Sequence, residues 1–277
     1  MSDDRAALRE ALRDVAAGRL IPYLGPGVLA LGSATVPVSP QALSAAIEAR
    51  VRAPKRAAGN VWRVAQYVET RRFRATLEAI VEEAFAPGVR ANPLHAWIAA
   101  SAPPLVVDTW YDDALLEAFR ESGRRWGWVQ AWSRHRGWAE TWYRAFAADG
   151  TLCPEGPDPA WRTLVYKPHG LARKGASFLL SDSDYVEVLT EIDIQTPIPE
   201  EVQQRRADRG FLFLGCRFDD QLLRTFARQI IKRSAGPHLA VLPGPLTRME
   251  TRFLAEQTIH RLDLDLTQLH DALTVPA

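Results

Sequence analysis

Cysteine is scarce in this chain: Cys153 and Cys216 are the only two in 277 residues. Two thiols cannot build a four-thiolate zinc site or a disulfide framework. They read as reduced thiols of a cytosolic protein, and no zinc is expected. No apolar run reaches the roughly 18 residues of a membrane-spanning helix. The opening segment, MSDDRAALREALRDVAAG, is charged throughout and lacks the apolar core of a signal peptide. A charge excess is missing too: the formal net charge is +1, so no global field marks nucleic acid or a membrane as partner. These absences predict a cytoplasmic chain with no membrane contact.

What is present is a large apolar share, 47 % of residues, enough for a sizeable core. Leu8, Leu12 and Val15 stand at helical spacing before Gly18. Leu20-Ile21-Pro22-Tyr23-Leu24 reads as a strand entering the turn Gly25-Pro26-Gly27. Helices are predicted over 40–52, 60–71, 73–85, 92–100 and 113–120, and later over 200–208, 219–232 and 247–257. Short apolar runs of the buried-strand type occur at Pro104 to Val107, Thr163 to Tyr166, Phe178 to Leu180, Phe211 to Leu214 and Leu239 to Leu242. Strands alternating with helices require parallel crossovers. The expected fold is therefore α/β: a Rossmann-like, doubly wound, mostly parallel sheet. Residues 1–277 read as one domain, with a helical layer inserted at about 40–100 and a tryptophan- and arginine-rich insertion at about 121–160.

Gly25-Pro26-Gly27-Val28-Leu29-Ala30 matches G-x-G-x-x-A, in which glycines let a pyrophosphate approach the backbone N–H groups. Pro26 removes one such N–H. Glu48 stands at the distance of a ribose-binding acid, but inside a helical run instead of at a strand end. The other reading is a plain glycine turn between strand and helix.

Four segments in this order resemble the bacterial sirtuin-like proteins, zinc-less relatives of the sirtuin deacetylases. They are Gly25-Pro26-Gly27-Val28-Leu29 for the family's G-A-G-x-S, Asp108-Thr109-Trp110-Tyr111-Asp112 for T-[TQ]-N-x-D, Lys167-Pro168-His169-Gly170 for K-x-H-G, and Phe213-Leu214-Gly215-Cys216-Arg217-Phe218-Asp219-Asp220 for F-x-G-x-S-x-x-D. The stretch Ser177 to Tyr185 is similar as well. The resemblance implies a site for NAD or ADP-ribose. Gly25, Gly27 and Val28 would lie at the diphosphate, with Thr109, Trp110, Gly215 and Arg217 around the ligand and His169 and Asp112 in catalytic positions. The departures concern polar side chains: the loop serine is Leu29, the catalytic asparagine is Trp110, and the late serine is Arg217. An indole offers one donor and no acceptor, so it cannot orient a water as an amide does. Arg217 offers instead a fork for a phosphate or carboxylate.

His169, at a strand's C-terminal end, is either an acid–base group or a turn histidine. Asp113, Asp219 and Asp220 precede helices and read as capping acids, and Asp112 is open to either role. His95, His135, His238, His260 and His270 show no metal-ligand spacing. Five tryptophans (126, 128, 132, 138 and 142) alternate with arginines over 124–144. They read as a small core with arginines snorkelling outward; a docking face for a protein partner is the alternative, and nucleic-acid binding gains no support from the net charge. Three functions follow: hydrolysis of NAD to nicotinamide and ADP-ribose, nucleotide binding without turnover as a sensor, or protein interaction alone.

Overall fold

The computed structural model describes residues 2–133, 142–191 and 198–273. Its centre is a nine-stranded sheet in the order β5-β4-β3-β6-β2-β1-β7-β8-β9. The strands are β1 (Leu20–Leu24), β2 (Leu105–Asp108), β3 (Trp126–Ala131), β4 (Tyr143–Ala147), β5 (Leu152–Cys153), β6 (Thr163–Lys167), β7 (Gly210–Leu214), β8 (His238–Val241) and β9 (Ile259–Leu262). All neighbours from β3 to β9 in this order pair in parallel, and β4 and β5 add an antiparallel edge. The chain is an α/β protein of Rossmann-like architecture. The central strands are buried at every position, as apolar runs covered on both faces require.

Alternation along the strands splits the core in two. Leu20, Leu24, Val106, Val165 and Leu212 face one layer: α1 (Ser2–Ala16), α5 (Pro93–Ser101), α6 (Ala114–Glu121) and α11 (Thr267–Leu273). Ile21, Tyr23, Val107, Tyr166 and Phe211 face the other: α2 (Pro40–Glu48), α3 (Val61–Arg72), α4 (Arg74–Phe85), α7 (Asp182–Glu191), α8 (Glu200–Arg206), α9 (Gln221–Ile231) and α10 (Arg248–Glu256). Local chemistry starts these helices. Ser39 accepts a hydrogen bond from Ala42 N ahead of Pro40, Asn60 caps α3 through Arg63 N, and Asn92 caps α5 ahead of Pro93. Thr247 and Glu250 close a capping box on α10.

Two expectations need correction. Phe178 to Leu180 is not a strand: Phe178 makes one isolated antiparallel bridge to Gly170, because the chain doubles back there instead of crossing the sheet. The tryptophans at 126 and 128 do not fill a small core of their own. They lie on β3, in register with β6, and pack into the layer of α5 and α6; Trp128 stacks on Phe146 with centroids 5.0 Å apart. Hydrogen bonding to β6 pulls that stretch into the main sheet. Arg134, His135, Arg136 and Trp138 lie outside the described residues.

The break between α3 and α4 falls on Phe73, with φ 71° and ψ 154°. That region of backbone space is open essentially to glycine alone, and a β-carbon there costs about 1–3 kcal/mol. The ring recovers little through burial, being 80 % exposed. Phe73→Gly is therefore expected to raise the unfolding free energy by about 1 kcal/mol, after allowing for glycine's extra freedom in the unfolded chain. Urea denaturation of the two proteins checks this.

Candidate functional site

Parallel strands put their C-terminal ends on one edge, and the order reverses direction at β1. Open α/β sheets bind ligands at such a switch point. Here the segments after β6, β2, β1 and β7, four adjacent strands, surround a cavity of about 160 Å³. Its wall includes Gly25 and Gly27 after β1, Thr109 and Trp110 after β2, His169 after β6, and Gly215 and Arg217 after β7. The helical layer contributes Ser39, Pro40, Val61 and Trp62, and Tyr185 and Phe226 complete an aromatic shell.

A buried ion pair lies at the base of these turns. Lys167 Nζ, with no exposure, is 2.6 Å from Asp108 Oδ2, and Asp108 Oδ1 accepts a hydrogen bond from Trp110 N. Thr109 gives both its N–H and its hydroxyl to Leu24 O, which leaves its own carbonyl for His169. His169 Nδ1 is 2.8 Å from that carbonyl, so Nδ1 carries the proton and donates. Nε2 has no hydrogen-bond partner among the described residues. Burial pulls the imidazole's pKa down to about 4; the hydrogen bond to Thr109 opposes this and the Lys167 charge adds to it. His169 is thus a neutral imidazole with a free acceptor, flanked by Tyr111, Tyr185 and Phe226, whose ring meets it edge to face at 4.6 Å.

Trp110 is nearly buried, and its indole Nε1 donates to Pro37 O at 2.7 Å. Its single donor ties the loop before α2 to the end of β2. The ring packs on Tyr111 and Phe85, so the position that the resemblance assigns to an amide holds a latch.

The glycine loop is also committed. Gly25 N donates to Leu214 O, Gly27 N to Gly215 O and Val28 N to Gly25 O, while Pro26 has no N–H. Its glycines are explained by packing: a β-carbon on Gly25 would stand 2.5 Å from Gly215 O, and one on Gly215, whose φ is +67°, 2.4 Å from Val28 N. A 3-10 turn, Pro26–Leu31, follows directly, and Val28 faces the core under α5 instead of the cavity.

Arg217 reaches the cavity rim, but its fork closes on Glu250: Nε to Oε1 and Nη2 to Oε2, each 2.9 Å, with further bonds to Pro243 O and Pro245 O. Asp112 lines a different depression, beside Asp113 and Ala172. It accepts from Ala114 N at the start of α6, and its carboxyl is pushed up to about 6 by burial, then by the charge of Asp108. Asp113 makes no capping bond, whereas Asp220 caps α9 through Leu222 N. Asp219 instead accepts from Asp220 N. His95 and His238 accept backbone N–H groups of Asn92 and Phe211. Among the described residues no group of three or more His, Cys, Asp or Glu side chains is placed to hold a metal ion, and no helix is long and apolar enough to cross a membrane.

Site residues found only in three dimensions include Ser39, Val61, Trp62 and Phe226, while Tyr185 and Cys216 stood within the stretches that carry the resemblance, without a role. Cys216 gives its thiol to backbone carbonyls, and burial raises its pKa well above the usual range, so it is no thiolate nucleophile. In sequence, these aromatic residues are indistinguishable from core.

A Rossmann-like sheet with its cavity at the switch point defines the class of α/β protein that takes its ligand at the strand ends. The SIR2-like domain family matches residues 104–262, more than half of the chain. The chain belongs to this family, which generally uses NAD. No curated protein matches it at a significant level.

Replacing Lys167 by Met leaves Asp108 charged, buried and unpaired, and is expected to cost about 3–5 kcal/mol in urea denaturation. A second expectation concerns pH. His169 and His95, both near 4 in the fold, bind protons more readily once unfolded, so the stability they leave intact above about pH 6.5 drains as pH falls toward 4. Asp112, near 6, works in the opposite direction below pH 6. Each histidine accounts for about 3 kcal/mol over this window. His169→Phe should therefore lose about 3 kcal/mol less than the native chain between pH 6.5 and pH 4, read by denaturation at each pH.

Proposed function

We propose that this chain binds NAD or ADP-ribose at the switch-point cavity and does not cleave NAD. One observation carries the reading: the wall of the cavity holds a neutral imidazole with a free acceptor nitrogen, and the neighbouring position that would place a water is an indole already bonded to Pro37. A buried acceptor without a partner is unfavourable on its own and matches a hydroxyl donor such as a ribose. The aromatic shell suits a flat ring. His169 would accept the hydroxyl, and Thr109 O would hold its tautomer. When bound, NAD supplies an N-glycosidic bond as the cleavable link. The chain's own groups bind and enclose that end without providing an oriented water.

Size and loop chemistry support the same reading. The cavity of about 160 Å³ is below the roughly 300–1,000 Å³ typical of a site for a whole ligand, so it holds one ring-and-ribose end. The diphosphate meets a loop whose amides serve Leu214, Gly215 and Gly25. The affinity then comes from the aromatic end and His169, and Trp110 has its place as a structural latch.

The test is calorimetric titration with NAD and with ADP-ribose, with free nicotinamide assayed in the same sample. Saturable binding without nicotinamide release is expected. His169→Ala should weaken binding about tenfold, the worth of one buried hydrogen bond. Trp110→Asn should still release no nicotinamide, because removing the indole also removes its bond to Pro37 O, which holds the end of β2 against the loop before α2. Release by the native chain would overturn the no-turnover half of the proposal, and absence of binding at millimolar ligand would overturn the whole.

A further inference from the structure

The net charge of the whole chain hides a local concentration. Residues 50–72 carry seven basic side chains and one carboxylate, Glu69. Arg50 pairs with Glu83, and Glu69 is taken by Arg74, which also holds Asp184. The other six, Arg52, Lys55, Arg56, Arg63, Arg71 and Arg72, are exposed and make no ion pair among the described residues. Three of them, Arg56, Arg63 and Arg71, line a groove of about 480 Å³ on the outer side of α3, away from the switch-point cavity. Tyr67 and Thr70 stand between the arginines, and Asp182 is the one carboxylate in the wall among the described residues. Arg63, Tyr67, Thr70 and Arg71 fall at helical spacing on one face of α3.

Phe73 follows Arg72 as the cap of α3, outside the groove wall, an exposed aromatic ring held in a backbone conformation that favours glycine. A ring kept in water at a cost to stability has a use outside the fold.

We propose that this face binds single-stranded nucleic acid, with phosphates on the arginines of the groove and a base against Phe73. Guanidinium forks match phosphate oxygens, and although the charge of Arg63 acts on Asp182 through space, the groove arginines give up no ion pair among the described residues on binding. An exposed aromatic two residues along the chain from an arginine of a cationic groove offers the stacking that unpaired strands use, since their bases expose their faces. An acidic polypeptide would use the charges and leave the ring idle. A single free nucleotide would not span Arg56, Arg63 and Arg71 along the groove.

The test is fluorescence anisotropy of the full chain with a labelled oligothymidylate of about 12 nucleotides, within the size range of such sites. Binding is expected at about 50 mM salt, with log K falling against log salt at a slope near about −2 for three phosphate contacts. Arg63→Gln with Arg71→Gln should weaken binding at least about tenfold and flatten the slope by about 1.4. Phe73→Ser should weaken it roughly tenfold with the slope unchanged, since stacking releases no counterions. Circular dichroism checks that each variant is folded; if the double variant is not, Lys55→Gln with Arg56→Gln, in the loop before α3, takes its place. The proposal is overturned by no binding at about 50 mM salt, by charge variants that bind as the native chain does, or by equal affinity for polyglutamate or for a duplex of the same length.

Discussion

The ion pair between Lys167 and Asp108 sets the geometry on which the site depends. Both charges are buried, and each would be costly alone, so the ends of β6 and β2 are held in one relative position. Asp108 then spends its second oxygen on Trp110 N, and Thr109 spends two donors on Leu24 O. One turn is thereby clamped to both neighbouring strands, and its carbonyl Thr109 O fixes the tautomer of His169. The charge of Lys167 also helps to keep that imidazole neutral. An ion pair that adds little net stability still adds precision, because its alternatives leave a charge buried and unpaired.

The same economy explains why the cavity reads as a binding site instead of a hydrolytic one. Three polar groups that the resemblance places against a ligand are already used: the loop amides by β7 and the loop itself, the Trp110 indole by Pro37, and the Arg217 fork by Glu250. His169 Nε2 is the exception. A neutral imidazole acceptor among aromatic walls suits a ribose and a ring, and with the indole of Trp110 bonded to Pro37 no amide stands beside it to place a water. Backbone-shaping glycines persist because the loops after β1 and β7 touch through them, with or without a ligand.

The helical layer serves two surfaces at once. The inner side of α3 gives Val61 and Trp62 to the cavity, while its outer side gives Arg63, Tyr67 and Arg71 to the groove. A helix of this kind can carry a second function without altering the first, since residues three and four apart share a face and the opposite face never meets them.

Much of the architecture was legible along the chain. Ser39-Pro40, Asn60 and Asn92-Pro93 mark helix starts through bonds that close within a few residues, and buried apolar runs mark the central strands. The strand β3 was hidden, because Trp126 to Ala131 becomes a strand through pairing with β6 more than 30 residues later. For the site, sequence alone named the four strand-end motifs, and parallel topology brings such ends together. It did not tell which polar groups stay free, since Gly27 is bonded to Gly215, Trp110 to Pro37 and His169 to Thr109, partners remote in the chain. Local order and the fold class thus follow from short-range chemistry and hydrophobic pattern. The hydrogen-bond accounting that separates a binding site from a catalytic one was decided only when the tertiary structure paired distant atoms.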